Sequence, residues 1–202
     1  MNMKRKPGKY VFSASAALLL AMGMTQSTSA AETQPFEGVA TLCAISPEVI
    51  TPPEQKGNEG VLVKYDMRFI YLIKADNSES LMNGSEDQAN NSKLTKSGIE
   101  FYWGDAEFVP DGYAGIGALV EKFKFKAEEI LNGVSGTFTG TGALEGVTVD
   151  YELSPPYQVS ASTFPPECYD LLILCDDCFP AISPDEQFTQ YDISGWIEGY
   201  DP

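Results

Sequence analysis

The sequence predicts an all-β fold, a single antiparallel β-barrel of about eight strands. Apolar and polar residues alternate with a period of two along most of the chain, and clusters of Gly, Pro, Asn and Ser separate the alternating segments. No segment sustains a helical period over several turns. The long segment that begins at Val61 and the glycines where a coiled sheet needs bends favour a barrel, with a sandwich as the alternative.

Residues 1–30 have the features of a secretory signal peptide. Four basic residues precede an apolar stretch from Val11 to Met24, and small residues follow at 28–31. A helix over that stretch would span about 21 Å, less than the roughly 30 Å hydrocarbon core of a bilayer. We therefore expect no integral membrane segment after signal removal, and an exported single domain, periplasmic or extracellular, at residues 31–202.

The composition excludes several classes of function. Residues 1–30 hold four of the 13 Lys and Arg residues and none of the 29 Asp and Glu residues, so nine basic residues remain after export. An acidic chain without a basic stripe would repel a phosphate backbone, which excludes nucleic acid as a partner. The chain has no histidine, which removes imidazole ligands and His-dependent catalytic triads. We expect no cofactor, and no motif predicts a metal site. Calcium is left open by a cluster of acidic residues near the C-terminus: Asp176, Asp177, Asp185 and Glu186.

The predicted strands follow one another along the chain. Val61–Ile73 is the clearest, because every odd position is apolar while the even positions include Lys64, Asp66 and Arg68. A short helical turn is expected at Ala127–Asn132, before Gly133. The other candidate strands are 37–45, 99–103, 117–126, 134–142, 147–153, 157–163, 169–175 and 187–199.

Two segments lack the alternation. Residues 76–98 contain hardly an apolar side chain, and we interpret them as a long polar surface loop, with a lid or binding loop as the alternative. Ser46–Gly60 contains a Pro-Pro pair and is predicted to be a second surface connection.

Four cysteines in an exported chain predict two disulfides. They are Cys43, Cys168, Cys175 and Cys178. If residues 169–175 are extended, Cys168 and Cys175 lie more than about 20 Å apart, against about 6 Å between bridged Cα atoms. Two pairings remain: Cys43 with Cys168 and Cys175 with Cys178, or Cys43 with Cys175 and Cys168 with Cys178. The two aspartates between Cys175 and Cys178 would disfavour a reactive thiolate, so we expect structural bridges.

Glu121 is the candidate catalytic residue. From Leu119 to Lys126 the other odd positions are apolar, so alternation places the Glu121 carboxylate on the face intended for the core. A carboxyl with a raised pKa in an apolar cavity can act as a general acid or base near neutrality. The alternative is that Glu121 lies at a strand end and contacts water.

Five residues are candidate ligand contacts. Arg68 is the only arginine of the mature chain and shares a strand face with Asp66. If that face were interior, Arg68 would hold a carboxylate or phosphate, and otherwise the two belong to a solvated outer face. Tyr102, Trp103 and Tyr151 could line an apolar pocket, although core packing is the commoner role of aromatic residues.

The segment Val134–Glu152 predicts two strands joined by the turn Gly140-Thr-Gly-Ala-Leu-Glu-Gly146. This turn and the alternating strand after it resemble a hairpin of the allene oxide cyclase and dirigent-like eight-stranded barrels. The resemblance implies a calycin-like or allene-oxide-cyclase-like barrel that binds hydrophobic molecules and steers cyclisation or coupling without a cofactor. It covers only this hairpin, and no catalytic position of those families carries over.

We therefore expect an exported, disulfide-bonded barrel that binds a small hydrophobic or amphipathic molecule. One alternative is a cofactor-independent isomerase, cyclase or lyase that acts inside the barrel with Glu121 as acid or base. A second alternative is a structural or assembly subunit with a closed core. The sequence assigns no oligomeric state.

Overall fold

The computed structural model of the protein describes residues 33–51 and 61–201. The predicted signal peptide, residues 1–30, lies outside the described residues. So does most of the predicted surface connection at Ser46–Gly60. Most of the described residues lie in β-strands, and the helical segments are short.

Eight long strands close into an antiparallel barrel. In the order around the barrel they are β1, β3, β4, β5, β6, β7, β8 and β11, and β11 pairs with β1 to complete the ring. In chain order the strands are β1 (Gln34–Ile45), β2 (Val49–Thr51), β3 (Val61–Ala75), β4 (Gly84–Thr95), β5 (Glu100–Pro110), β6 (Gly117–Lys126), β7 (Val134–Gly142), β8 (Thr148–Leu153), β9 (Tyr157–Ser160), β10 (Phe179–Pro180) and β11 (Gln187–Glu198). The closed ring confirms the predicted barrel and excludes the sandwich.

The predicted polar loop at 76–98 is wrong, because residues 84–95 form β4. This strand pairs along its length with β3 on one side and β5 on the other. The turn before it is held by Asn83, whose Oδ1 accepts from the Ala75 amide and whose Nδ2 donates to the Asn77 and Ser80 carbonyls. Residues 84–95 therefore form a strand because they pair with β3 and β5, although they have no apolar alternation of their own.

The predicted strand at 169–175 is also wrong. Glu167–Asp170 forms a short helix, and Leu171–Leu174 continues it as a 3-10 turn. Pro165 and Pro166 precede the helix, where a fixed φ and a missing amide are tolerated. The expected helical turn after β6 is present at Ala127–Ile130.

The chain between β8 and β11 leaves the barrel and covers its outer wall. A second apolar cluster forms there, between this segment and the outward face of β1 and β3, around Leu72, Phe164 and Phe188. A β-bulge between Leu42 and Ala44 belongs to the same region of β1.

The first of the two predicted disulfide pairings is the one that forms. Cys43 of β1 is bridged to Cys168 with the Cα atoms 4.9 Å apart, and Cys175 is bridged to Cys178. Residues 169–175 are not extended, so the premise used to exclude a Cys168–Cys175 bridge is incorrect. The exclusion itself is correct, because Cys168 pairs with Cys43 and Cys175 pairs with Cys178.

Candidate functional site

The barrel interior is packed at one end and open at the other. Apolar side chains fill the packed end, where Met82 and Leu144 from the turns join Phe108, Leu119 and Phe138. A cavity of about 200 Å³ occupies the end at which β6 passes into the helical turn. The side chains that line it are Ala40, Leu42, Phe69, Tyr71, Ile73, Glu86, Gln88, Asn90, Tyr102, Phe123, Phe125, Ile130, Val134, Phe138, Tyr151, Leu153, Tyr191 and Ile193.

β4 supplies the polar side of this cavity. Its inward row includes Glu86, Gln88 and Asn90, all of which line the cavity. Asn90 is only 7% exposed, and its Nδ2 donates to Gln88 Oε1 at 3.1 Å. Asn90 Oδ1 is buried without a hydrogen-bond partner among the described residues. The cavity wall therefore presents an unsatisfied acceptor.

Glu86 carries the most perturbed carboxyl of the interior. Burial, followed by the negative charges of Glu121 and Asp87, raises its pKa to about 8. Part of the side chain stays accessible because it faces the cavity. Sequence reasoning missed Glu86 because it lies in the segment interpreted as a loop. The available signal was the length of that segment, since long unstructured connections are uncommon in compact domains.

Glu121 is half-buried in the barrel wall, as part of the inward row of β6. The Tyr151 hydroxyl donates to Glu121 Oε2 at 2.7 Å, and the Thr137 amide also bonds to the carboxylate. Burial raises the pKa of Glu121, while these two hydrogen bonds lower it. The wall leaves room for the pair because Gly136 faces it, where a Cβ atom would collide with both the carboxylate and the phenol.

The barrel wall is incomplete beside Glu121. β6 and β7 pair only from Gly117 to Val120 on β6, and the two strands separate beyond that point. A groove therefore runs along the outer surface from Glu121 to Ser135. Glu121 therefore belongs to the inward row, as alternation predicts, and borders this groove, but it lies in the middle of β6 and is not among the residues that line the cavity.

Four tyrosines surround the cavity: Tyr71, Tyr102, Tyr151 and Tyr191. Burial, with smaller contributions from Tyr191 and Glu86, raises the pKa of Tyr71 well above its ordinary value. Burial and the neighbouring Glu100 raise the pKa of Tyr102 to about 12. These side chains are therefore neutral hydroxyl groups at physiological pH.

The structure corrects the ligand-binding assignment of Asp66, Arg68 and Trp103, whose side chains lie on the outer wall. The odd residues of β3, including Tyr71, face the cavity, so the even row faces outward. Arg68 donates through Nε and Nη2 to the two carboxylate oxygens of Asp87. Lys93 lies 5.8 Å from the centre of the Trp103 ring. Of the predicted contacts, Tyr102 and Tyr151 line the cavity.

Within residues 33–51 and 61–201, no cluster of three or more metal-ligating side chains could hold a metal ion. The helices in the described part of the chain include none that is long and apolar enough to cross a membrane.

Comparison with known proteins assigns no family. No protein-family model matches the chain, and neither does any curated protein. A pterocarpan synthase dirigent protein is among the similar solved structures, with 11% sequence identity and a TM-score of 0.44, covering 96% of this chain and 100% of that one.

Proposed function

We propose that the protein binds a small amphipathic molecule in the barrel cavity. The observation that carries this proposal is Asn90, which lines an aromatic-walled cavity and whose Oδ1 is buried without a hydrogen-bond partner among the described residues. Such a group costs about 1–3 kcal/mol when it is left unsatisfied. A ligand that donates a hydrogen bond to Asn90 and places its apolar part against the rings would remove that cost.

The row of polar side chains on β4 supports the same function. A strand that only closed a core would present apolar residues inward, whereas Glu86, Gln88 and Asn90 keep this side of the barrel polar. The cavity of about 200 Å³ is smaller than the sites of about 300–1,000 Å³ that hold drug-sized molecules. We therefore expect a ligand of one or two rings. A structural subunit with a closed core would have no use for this space.

The two disulfides support an exported protein. Disulfides persist in oxidising compartments and are rare in the cytosol. We infer that the ligand is bound outside the cytoplasm, in the periplasm or beyond it.

Titration with 1-naphthylamine, a two-ring compound whose emission shifts to shorter wavelength in apolar surroundings, tests the cavity. We expect saturable binding at one site, because the probe is neutral near pH 7, aromatic and carries an N–H donor for Asn90. The Gln88→Phe variant fills the cavity from its polar side and should weaken binding by at least about tenfold, since the probe then lacks space.

The matched control is Trp196→Ala, which removes an indole that is 54% exposed on the outer wall. This variant should bind the probe as the unmodified protein does. If Trp196→Ala abolished binding and Gln88→Phe left it unchanged, the probe would be on the surface and the proposal would be wrong.

A second candidate function is cofactor-independent proton transfer in the same cavity. Glu86 and Glu121 both have raised pKa values, and the Tyr151 hydroxyl bonds to Glu121. A carboxylate in such surroundings can remove a proton from a bound carbon acid, and a phenol can stabilise the anion that forms. Isomerase, cyclase or lyase chemistry would require these steps.

Elimination of nitrobenzisoxazole measures this capacity without knowledge of the natural substrate. A carboxylate takes the ring C–H proton, the N–O bond breaks, and a coloured cyano-nitrophenolate is released. We expect the rate to rise as Glu86 ionises near pH 8 and to fall at least about tenfold in the Glu86→Gln/Glu121→Gln double variant. An equal rate in the double variant would rule out the pair as the base.

A further inference from the structure

The charge lining the cavity has one sign. Glu86 lies in its wall, and Glu121 adjoins it through the hydrogen bond to Tyr151. No lysine or arginine among the described residues lines it. A buried carboxylate without a cationic partner is costly, so Glu86 ionises at neutral pH only if a cation enters the cavity beside it.

The neutral groups around the cavity also suit a cation. Asn90 Oδ1 offers an acceptor that no described residue satisfies. Tyr71 lies directly opposite Glu86 in the β3–β4 pairing, and Tyr151 contacts Glu121. Aromatic faces attract organic cations through the ring quadrupole, most strongly where water is excluded. A carboxyl group and tyrosine rings thus lie together at the Glu86 side of the cavity, and Asn90 lies about 13 Å farther along β4.

We infer that the natural ligand is an aromatic or aliphatic amine whose ammonium group lies between Glu86 and the rings of Tyr71 and Tyr151. This inference rests on the ligand-binding function proposed above and specifies its ligand class. The ammonium would neutralise the Glu86 carboxylate, while the apolar body would contact the wall formed by Phe123 and Phe125. An anionic ligand would meet two carboxyl groups and no positive partner.

Binding of a cation to this site must depend on pH. The titratable groups around Glu86 are Tyr71 from β3, Glu121 from β6, Tyr151 from β8 and its own neighbour Asp87. On β5 the residue that pairs with Glu86 is Phe108, which does not titrate. The pKa of Glu86 is about 8, so an ammonium ligand, with a pKa near 10 like that of lysine, displaces a proton from the site below that pH.

Calorimetric titration with three indole compounds of nearly equal size tests the inference. Tryptamine is a cation, tryptophol is neutral and indole-acetate is an anion. At about pH 9 we expect tryptamine to bind at least tenfold more tightly than tryptophol, and this advantage to shrink at least fivefold at about pH 6 as Glu86 becomes protonated. Indole-acetate should show no saturable binding. Below pH 8 the binding of tryptamine should release protons. The measured binding enthalpy should then change with the ionisation enthalpy of the buffer.

Glu86→Gln should remove the advantage of tryptamine over tryptophol and its pH dependence. Glu107→Gln is the matched control, because Glu107 is an exposed carboxylate on the outer face of β5. This control should leave the advantage unchanged, which separates a specific site from general attraction to an acidic protein. If Glu107→Gln reduced it as much as Glu86→Gln does, the inference would be overturned.

Two further outcomes separate the inference from the proposed function. If tryptophol bound at least as tightly as tryptamine at both pH values, the amine would be excluded and the cavity would remain a site for neutral ligands. If neither compound bound and 1-naphthylamine did not bind either, both the inference and the proposed function would fail.

Discussion

Glu86 shows how one residue links the function of the interior to the stability of the barrel. The carboxyl keeps its proton in the folded protein up to a pKa of about 8, against an ordinary value of 4.5. Between those two pH values the folded state holds a proton that the unfolded state has lost. The free energy of unfolding therefore falls as pH rises through this window and is constant in this respect above and below it.

Replacing Glu86 by Gln should remove this pH dependence. Each pKa unit corresponds to about 1.4 kcal/mol of unfolding free energy, and contact with cavity water reduces the full effect. We therefore expect the free energy of unfolding of the variant, compared with that of the unmodified protein, to increase by about 2–3 kcal/mol between pH 5 and pH 8.5. Urea unfolding at a series of pH values measures it. The free energy of unfolding of Glu107→Gln, on the exposed outer wall, should depend on pH in the same way as that of the unmodified protein. The same pH dependence in Glu86→Gln would contradict a raised pKa of Glu86.

At the scale of the element, strand prediction depended on what each strand faces. β3 and β6 were predictable because the row of each strand that faces the barrel interior is apolar, and Glu121 was noticed because it interrupts such a row. β4 was missed because the row that faces the cavity is polar, and Glu86 was missed with it. The Leu171–Leu174 turn was misassigned because a short apolar run has no distinctive period, and only its tertiary packing selects a helical form.

The polar row of β4 predicts a conflict between stability and binding. Asn90→Leu replaces a buried, unsatisfied acceptor with an apolar side chain, so we expect the free energy of unfolding to rise by about 1 kcal/mol. The same variant should bind tryptophol more weakly, because the acceptor for its hydroxyl is lost. Thermal unfolding and calorimetry measure the two effects.

Asn91→Leu is the control for this conflict. Asn91 lies on the opposite face of β4, pairs with Trp103 of β5 and donates to the Trp103 carbonyl. This variant should not stabilise the protein and should leave tryptophol binding unchanged. A loss of stability in Asn90→Leu comparable to that of a packed core residue would show that Asn90 serves the core and not a ligand.

At the scale of the whole molecule, the barrel closes through contacts that are distant in sequence. β1 lies between β3 and β11, and the Cys43–Cys168 bridge spans 125 residues to hold the covering segment against the outer wall. The sequence predicted a barrel of about eight strands, although it missed β4, and it narrowed the disulfides to two pairings. It could not predict which segment covers the barrel, because that depends on packing between remote parts of the chain.

The two disulfides should differ in their contribution to stability. The longer loop restricts the unfolded chain more, so Cys43→Ala/Cys168→Ala should lower the free energy of unfolding by about 3–5 kcal/mol, against about 1–2 kcal/mol for Cys175→Ala/Cys178→Ala. Urea unfolding of the two double variants compares them. An equal or reversed order would show that the outer segment is not held by the longer bridge.

The central claim is that the barrel interior is a binding site and not an imperfect core. A crystal structure of the protein soaked with bromophenol tests it most directly, because bromine is located by its anomalous scattering. We predict a bromine position inside the barrel, with the phenol hydroxyl donating to Asn90 Oδ1 and the ring against Tyr71 or Tyr151. Bromine positions confined to the outer wall, with the interior filled by the protein's own side chains, would contradict the account.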